Sequence, residues 1–122
     1  MELQIKYEFV KPDACVVSVK GPVDSMTYLD FKDRIQVAVD QGARHLLLNL
    51  SGVKYISSSG LGVLFEFQKK LEGLKGSLAF YDLQLSVKRV LEIVKAESLE
   101  IRLENLDPSH PFFEYLHKQA SA

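Results

Sequence analysis

The chain has a single cysteine, Cys15, so no disulfide can close within it. Cys15 sits in the apolar run Ala14-Cys15-Val16-Val17, where a buried and inert thiol is expected rather than a redox group. An excess of one charge is also missing: lysine plus arginine number 15 and aspartate plus glutamate 16, so there is no basic stripe for nucleic acid and no polybasic signal for a membrane surface. No stretch approaches the roughly 20 apolar residues of a membrane span, which argues against membrane insertion. The first residues, Met1 to Lys6, alternate apolar with polar instead of running apolar as a signal peptide does, and the cytoplasm is the expected compartment.

Catalytic and metal-binding patterns are missing as well. The three histidines, His45, His110 and His117, have no second histidine or cysteine at zinc-ligand spacing, so neither a metal nor another cofactor is implied. No glycine-rich phosphate loop ending in Gly-Lys-Ser/Thr occurs. Ser58-Ser59-Gly60-Leu61-Gly62 is not a nucleophile elbow, because the residue two before either serine is not glycine. Together these absences argue against an enzyme.

What is present is enough apolar material for one core: 122 residues, 47% of them hydrophobic, are expected to form a single domain over 1–122. Leu3, Ile5, Tyr7 and Phe9 alternate as one face of a strand, and Cys15 to Val19 reads as a second strand after the break at Pro12-Asp13, which makes a hairpin. The period then changes. Asp24 or Ser25 can cap a helix whose stripe is Tyr28, Phe31, Ile35 and Ala38, with Gly42 as its stop. Leu46-Leu47-Leu48 reads as a central strand covered on both faces. A second helix is expected from Ser58 to about Glu72, a strand at Leu78 to Tyr81, and a third helix capped by Ser86 and carrying Val87, Val90, Leu91 and Val94. A fifth strand is expected over Leu99 to Leu103 and a terminal helix over 112–118. The order β-β-α-β-α-β-α-β-α predicts an α/β fold: a mixed sheet that starts with a hairpin and carries about four helices.

The densest chemical signal is Tyr55-Ile56-Ser57-Ser58-Ser59-Gly60-Leu61-Gly62, a strand-to-helix junction rich in hydroxyls. The serines can be plain helix caps, since the first turn of a helix has free backbone N–H groups. On the helix that follows, Leu64, Phe67, Leu71 and Leu74 form the expected core stripe with Val63 beside them. Leu61 and Phe65 fall off that stripe as an (i, i+4) pair, which makes them either a docking edge or packing under a neighbouring element.

Asn49-Leu50-Ser51, Val53, Tyr55-Ile56 and Ser57-Ser58-Ser59-Gly60-Leu61-Gly62 resemble the signature of STAS domains of the anti-sigma factor antagonist type. That signature is Asp-Leu-Ser, spaced hydrophobics, then Asp-Ser-Ser/Thr-Gly-Leu-Gly at a helix start. Gly21-Pro22-Val23-Asp24 is similar to the family's turn before its first helix, and the order of elements agrees. The resemblance implies a non-catalytic switch that docks to an anti-sigma factor, often a histidine-kinase-like serine kinase. It further implies phosphorylation of the first serine after the motif aspartate, reversed by a PP2C-type phosphatase. By position the phosphoacceptor is Ser58, with Ser57 and Ser59 as alternatives, and the docking residues are Asp24, Ser58, Ser59, Gly60, Leu61 and Phe65. The chain departs from the signature at Asn49 and Ser57, each of which stands where the family has aspartate. Two other readings compete: an unphosphorylated STAS scaffold in a transport or sensory assembly, and a small-molecule binder or cryptic enzyme built on Asp24, Ser58 and Ser59.

Overall fold

The computed structural model describes residues 2–121. Four strands, β1 (Gln4–Lys11), β2 (Ala14–Lys20), β3 (His45–Gly52) and β4 (Ser77–Tyr81), form one sheet in that order. β1 runs antiparallel to β2 as the expected hairpin, and β2, β3 and β4 are mutually parallel. The helices are α1 (Tyr28–Asp40), α2 (Ser58–Gly73), α3 (Leu85–Ile93) and α4 (Phe113–Ala120).

The two faces of the sheet are buried by different parts of the chain. α1, α2 and α3 cover one face, where Cys15, Val17, Leu46, Leu48 and Phe80 meet Phe31, Ile35, Leu64, Phe67, Val87 and Leu91. The other face presents Ala14, Val16, Leu47 and Ala79 to Phe112 and Leu116 of the C-terminal segment. Double coverage is why β2 and β3 read as unbroken apolar runs rather than alternating ones. Cys15 is fully buried, and that burial pushes its thiol pKa up, away from the reactive thiolate.

α1 and α2 lie side by side in the same direction. Lys32 pairs with Glu66 at 3.3 Å, and one turn on Lys70 donates to Gln36 at 2.7 Å. These exposed contacts add little stability. They do show that both helix N-termini point to the same end of the molecule, the carboxyl end of the parallel strands.

Two expectations about elements are corrected. Leu99 to Leu103 is not a strand: it is two 3-10 turns, Glu97–Leu99 and Leu103–Asn105, joined by a single bridge in which the Ile101 N–H donates to the Phe80 carbonyl at 2.8 Å. The cause is the division of labour along the segment. Leu99 packs on the α1–α3 side of the sheet while Ile101 and Leu103 pack on the α4 side, so the chain wraps around the β4 edge instead of extending along it. Ser86 does not cap α3 either, because its hydroxyl donates to the Lys54 carbonyl at 2.7 Å and so ties α3 to the loop before α2.

The C-terminal cover contains a pH-sensitive joint. His110 Nδ1 accepts from the Phe112 N–H at 3.1 Å, directly before α4. Burial holds the His110 pKa below its ordinary value, helped by His45 and Lys11 and opposed by Asp107. The fold therefore prefers neutral His110, so protonation costs folded-state stability. We expect that cost to be absent at pH values above the unfolded histidine pKa of about 6.5 and to grow as pH falls from there to the lower folded pKa. Thermal melts between pH 8 and pH 5 should show a shallower decline for His110→Asn, which keeps an acceptor but cannot titrate; parallel curves for the two proteins would exclude this origin.

Candidate functional site

The junction motif lies at the carboxyl end of the sheet, where the β2–α1 and β3–α2 loops continue the parallel pairing beyond the strands. The Gly21 N–H donates to the Gly52 carbonyl at 3.0 Å, Val23 N–H to Tyr55 carbonyl at 3.0 Å, and Ser57 N–H to Val23 carbonyl at 2.8 Å. Val23 and Ile56 thereby form an isolated parallel bridge, and both are buried. This zip brings Asp24 next to the start of α2, uniting on one surface two stretches that lie more than thirty residues apart in sequence.

Each loop is held by its own capping geometry. Asp24 Oδ1 accepts from the Met26 N–H at 2.8 Å and the Thr27 N–H at 3.1 Å, while Thr27 Oγ1 accepts from the Asp24 N–H at 2.9 Å. This reciprocal pair has the bonding pattern of a capping box, set in the turn just ahead of α1, whose own N-cap Thr27 makes no side-chain cap bond. The Thr27 hydroxyl in turn donates to the Pro22 carbonyl at 2.8 Å, which satisfies a buried polar group. At α2 the cap is Ser57, in extended backbone conformation, and its hydroxyl accepts from the Gly60 N–H at 3.2 Å. Ser58 is therefore the first helical residue and is exposed, whereas Ser57 and Ser59 are partly buried.

The two departures from the family signature have a common explanation. Asn49 Oδ1 accepts from the Ser51 N–H at 3.0 Å, and Ser57 Oγ accepts at the α2 cap. Each position serves as a hydrogen-bond acceptor for a nearby backbone amide. A neutral oxygen does that, and serine ranks with aspartate as an N-cap.

Gly60 and Gly62 differ in kind. A Cβ on Gly60 would stand 2.6 Å from Val23 Cγ1 and 2.8 Å from Ile56 Cγ1, so the glycine lets α2 seat directly on the zipped loops. A Cβ on Gly62 would meet nothing within 4 Å. Of the proposed docking residues, Gly60 is thus buried inside the site and not on its surface.

Leu61 needs the same correction. It is 8% exposed and joins the core cluster that holds Val53, Ile56 and Val87. The buried arc of α2 is wider here than the stripe facing the sheet, because the helix start also seats on the zipped loops at Val23 and Ile56. Phe65 is 37% exposed and does lie outside the core. Leu74, assigned to the stripe, falls just beyond the end of α2 and is exposed.

Met26 and Leu29 are large exposed apolar side chains at this end that the sequence reading passed over, Met26 being 89% exposed, and Tyr55, read only as part of the junction motif, is exposed beside them. Leu29 was legible, since it lies off the Tyr28–Phe31–Ile35–Ala38 stripe. Met26 and Tyr55 stand in loops, where no period marks inside from outside.

A shallow cleft of about 340 Å³ lies on the neighbouring surface, lined by Lys20, Gly21, Pro22, Gly52, Lys54 and Tyr55. Its lining includes neither Asp24 nor the serines, so it gives no enclosure to a ligand at those residues. Among the described residues no group of three or more His, Cys, Asp or Glu could hold a metal ion.

A family model described as the STAS domain matches residues 8–112. The chain belongs to the STAS domain family. It is 32% identical over 78 residues to BtrV of Bordetella bronchiseptica, a proposed anti-sigma factor antagonist, covering 64% of this chain and 67% of that protein. It is 28% identical over 98 residues to the anti-sigma F factor antagonist of Paenibacillus polymyxa, covering 76% and 80%. The fold is similar to that of the anti-sigma factor antagonist SpoIIAA, with a TM-score of 0.73 to the unphosphorylated form at 16% identity and 98% coverage of each chain. The phosphorylated form of SpoIIAA from Bacillus superposes with a TM-score of 0.68 at 15% identity, covering 96% of this chain and 99% of that one.

The STAS junction yields opposite expectations for its glycines. Gly60→Ala should destabilise the protein by about 1–3 kcal/mol through overpacking against Val23 and Ile56. Gly62→Ala should stabilise it by up to about 1 kcal/mol, the helix-propensity difference, because its Cβ enters open space. Urea denaturation of both variants checks the pair, and a loss at Gly62 equal to that at Gly60 would refute the seating described here.

Proposed function

We propose that this STAS protein is an antagonist of an anti-sigma factor, docking through the α2 N-terminus and switched off by phosphorylation of Ser58. The curated relatives support the class of activity, and the observation that carries the switch is the position of Ser58. It is exposed at the first residue of α2, with its cap supplied by its neighbour Ser57. A phosphate there adds about −1.5 to −2 charges. The domain tolerates that charge, because free amide groups and the helix dipole at a helix N-terminus favour an anion. A partner surface shaped for a neutral hydroxyl does not, so phosphorylation dissolves the complex and spares the fold.

The docking surface in this reading comprises Asp24, Ser58 and Ser59, with Met26, Leu29 and Phe65 as the exposed apolar contacts around them. The partner is an anti-sigma factor of the histidine-kinase-like serine kinase type, and a PP2C-type phosphatase restores docking. The setting is the bacterial cytoplasm and the protein itself is not catalytic. No helix among the described residues is long and apolar enough to cross a membrane, which fits a partner met in solution.

Affinity purification from the native cell, followed by mass spectrometry, should recover the kinase-type partner and place phosphate on Ser58. In a binding titration against that partner, Ser58→Asp should lose roughly tenfold or more in affinity, equivalent to about 1.4 kcal/mol, with a melting temperature close to the parent's. Undiminished binding, or an unfolded variant, would refute the switch. Phe65→Ser should likewise weaken binding while costing less stability than the roughly 2–5 kcal/mol of a core truncation, and a core-sized loss would remove Phe65 from the docking surface.

A further inference from the structure

We propose that the outer edge of β1 is a self-complementary seam through which two copies of this chain pair into a continuous eight-stranded sheet. The sheet ends at β1 on one side, and among the described residues no strand pairs with its outer edge. The opposite edge, β4, is occupied by the Phe80–Glu100 bridge. β1 is eight residues long, and its irregularity is confined to the far end, between Phe9 and Lys11. A long regular edge of unpaired N–H and C=O groups is a template for another strand unless the sequence blocks it.

The sequence of this edge permits pairing with a second copy and favours one register, the one that pairs the longest stretch of β1 with opposite charges face to face. In an antiparallel pair centred on Tyr7, Lys6 lies opposite Glu8 of the second copy and Glu8 opposite its Lys6. On the other face Ile5 lies opposite the second copy's Phe9, and Tyr7 opposite its own counterpart. Directly opposed side chains in an antiparallel ladder come within about 4.5–5.5 Å, so opposite charges attract and like charges repel. Centring the pair on Lys6 instead would set two lysines face to face, and centring it on Glu8 would set two glutamates face to face. Centring between residues would oppose the apolar set to the charged set. Lys6 and Glu8 are both exposed and are in no ion pair among the described residues.

The aromatic side chains agree with that register. Tyr7 and Phe9 are 37% and 38% exposed, and the Tyr7 hydroxyl donates to the Arg34 carbonyl of α1 at 2.8 Å. Both rings thus stand on the helical face beside α1. The two-fold axis through Tyr7 brings the rings of both copies together between their α1 helices. Because the two β1 strands pair antiparallel, the parallel strands of the two copies also point in opposite directions. The two α2 N-termini then face opposite ends of the assembly, and pairing leaves both Ser58 surfaces open. The dimer is bivalent for whatever docks there.

One strand pair with its aromatic contacts is a small interface, so the association is expected to be reversible, with a dissociation constant between roughly 1 μM and 1 mM. Sedimentation velocity of the full chain across that concentration range should move from monomer to dimer mass. Lys6→Glu should remain monomeric, because each new glutamate would face Glu8, and Glu8→Lys should do so by the mirrored argument. The double variant Lys6→Glu/Glu8→Lys restores opposite charges at both pairs and should dimerise again. Circular dichroism establishes that each variant is folded. A parent that stays monomeric throughout, a dimer indifferent to either single reversal, or a double variant that fails to regain dimer mass would each overturn the seam.

Discussion

The rest of the site depends on the hydrogen bond from Ser57 N–H to the Val23 carbonyl at 2.8 Å, the last rung of the zip between two loops. Each rung is an ordinary backbone bond with a net worth of about 0.5–1.5 kcal/mol. What this one does is geometric. It places the Ser57 cap, and hence the first turn of α2, against the Asp24 turn. The close seating of Gly60 on Val23 and Ile56 is possible only in that alignment. The sheet register sets the rungs, the rungs set the helix start, and the helix start exposes Ser58 while burying Leu61.

The same chain of causes accounts for the two missing aspartates. At Asn49 and Ser57 the local structure requires an acceptor pointing at a backbone amide, and an amide or hydroxyl oxygen provides it. The fold therefore tolerates loss of negative charge at both positions. A neutral Ser57 also changes the neighbourhood of Ser58: the α2 cap itself carries no carboxylate, and Asp24 on the adjoining turn is the fixed negative charge there.

Most of the architecture was legible because hydrophobic period tracks burial where one element faces one layer. α1 and most of α2 follow that rule, while β2, β3 and β4 are legible as short apolar runs because both faces of the sheet are covered. The reading failed where a segment serves two layers or a wall of unusual width. Leu99, Ile101 and Leu103 alternate like a strand, but they do so because the chain passes from one face of the sheet to the other. Leu61 lies off the sheet-facing stripe yet is buried, because loops distant in sequence close over it. Met26 lies in a turn, where period carries no information, and its exposure follows only from the cap that Asp24 and Thr27 build around it. Ser86 was misread for a related reason: its sequence position suits a cap, but the Lys54 carbonyl brought near by β3 is the acceptor it finds.

The fold separates its surfaces by direction. Parallel strands send every helix N-terminus of the β-α connections to one end, so the hydroxyl cluster and the exposed apolar side chains around it gather there. The antiparallel hairpin places β1 at the side, a sheet edge whose contacts run at right angles to that end. The C-terminal segment closes the remaining face with Phe112 and Leu116. Charge added at Ser58 is therefore remote from both the edge and the C-terminal cover, and with a Debye length of about 8 Å at physiological ionic strength it acts chiefly on what touches the α2 terminus. The switch proposed above would therefore act there while the sheet edge and the core remain as they are.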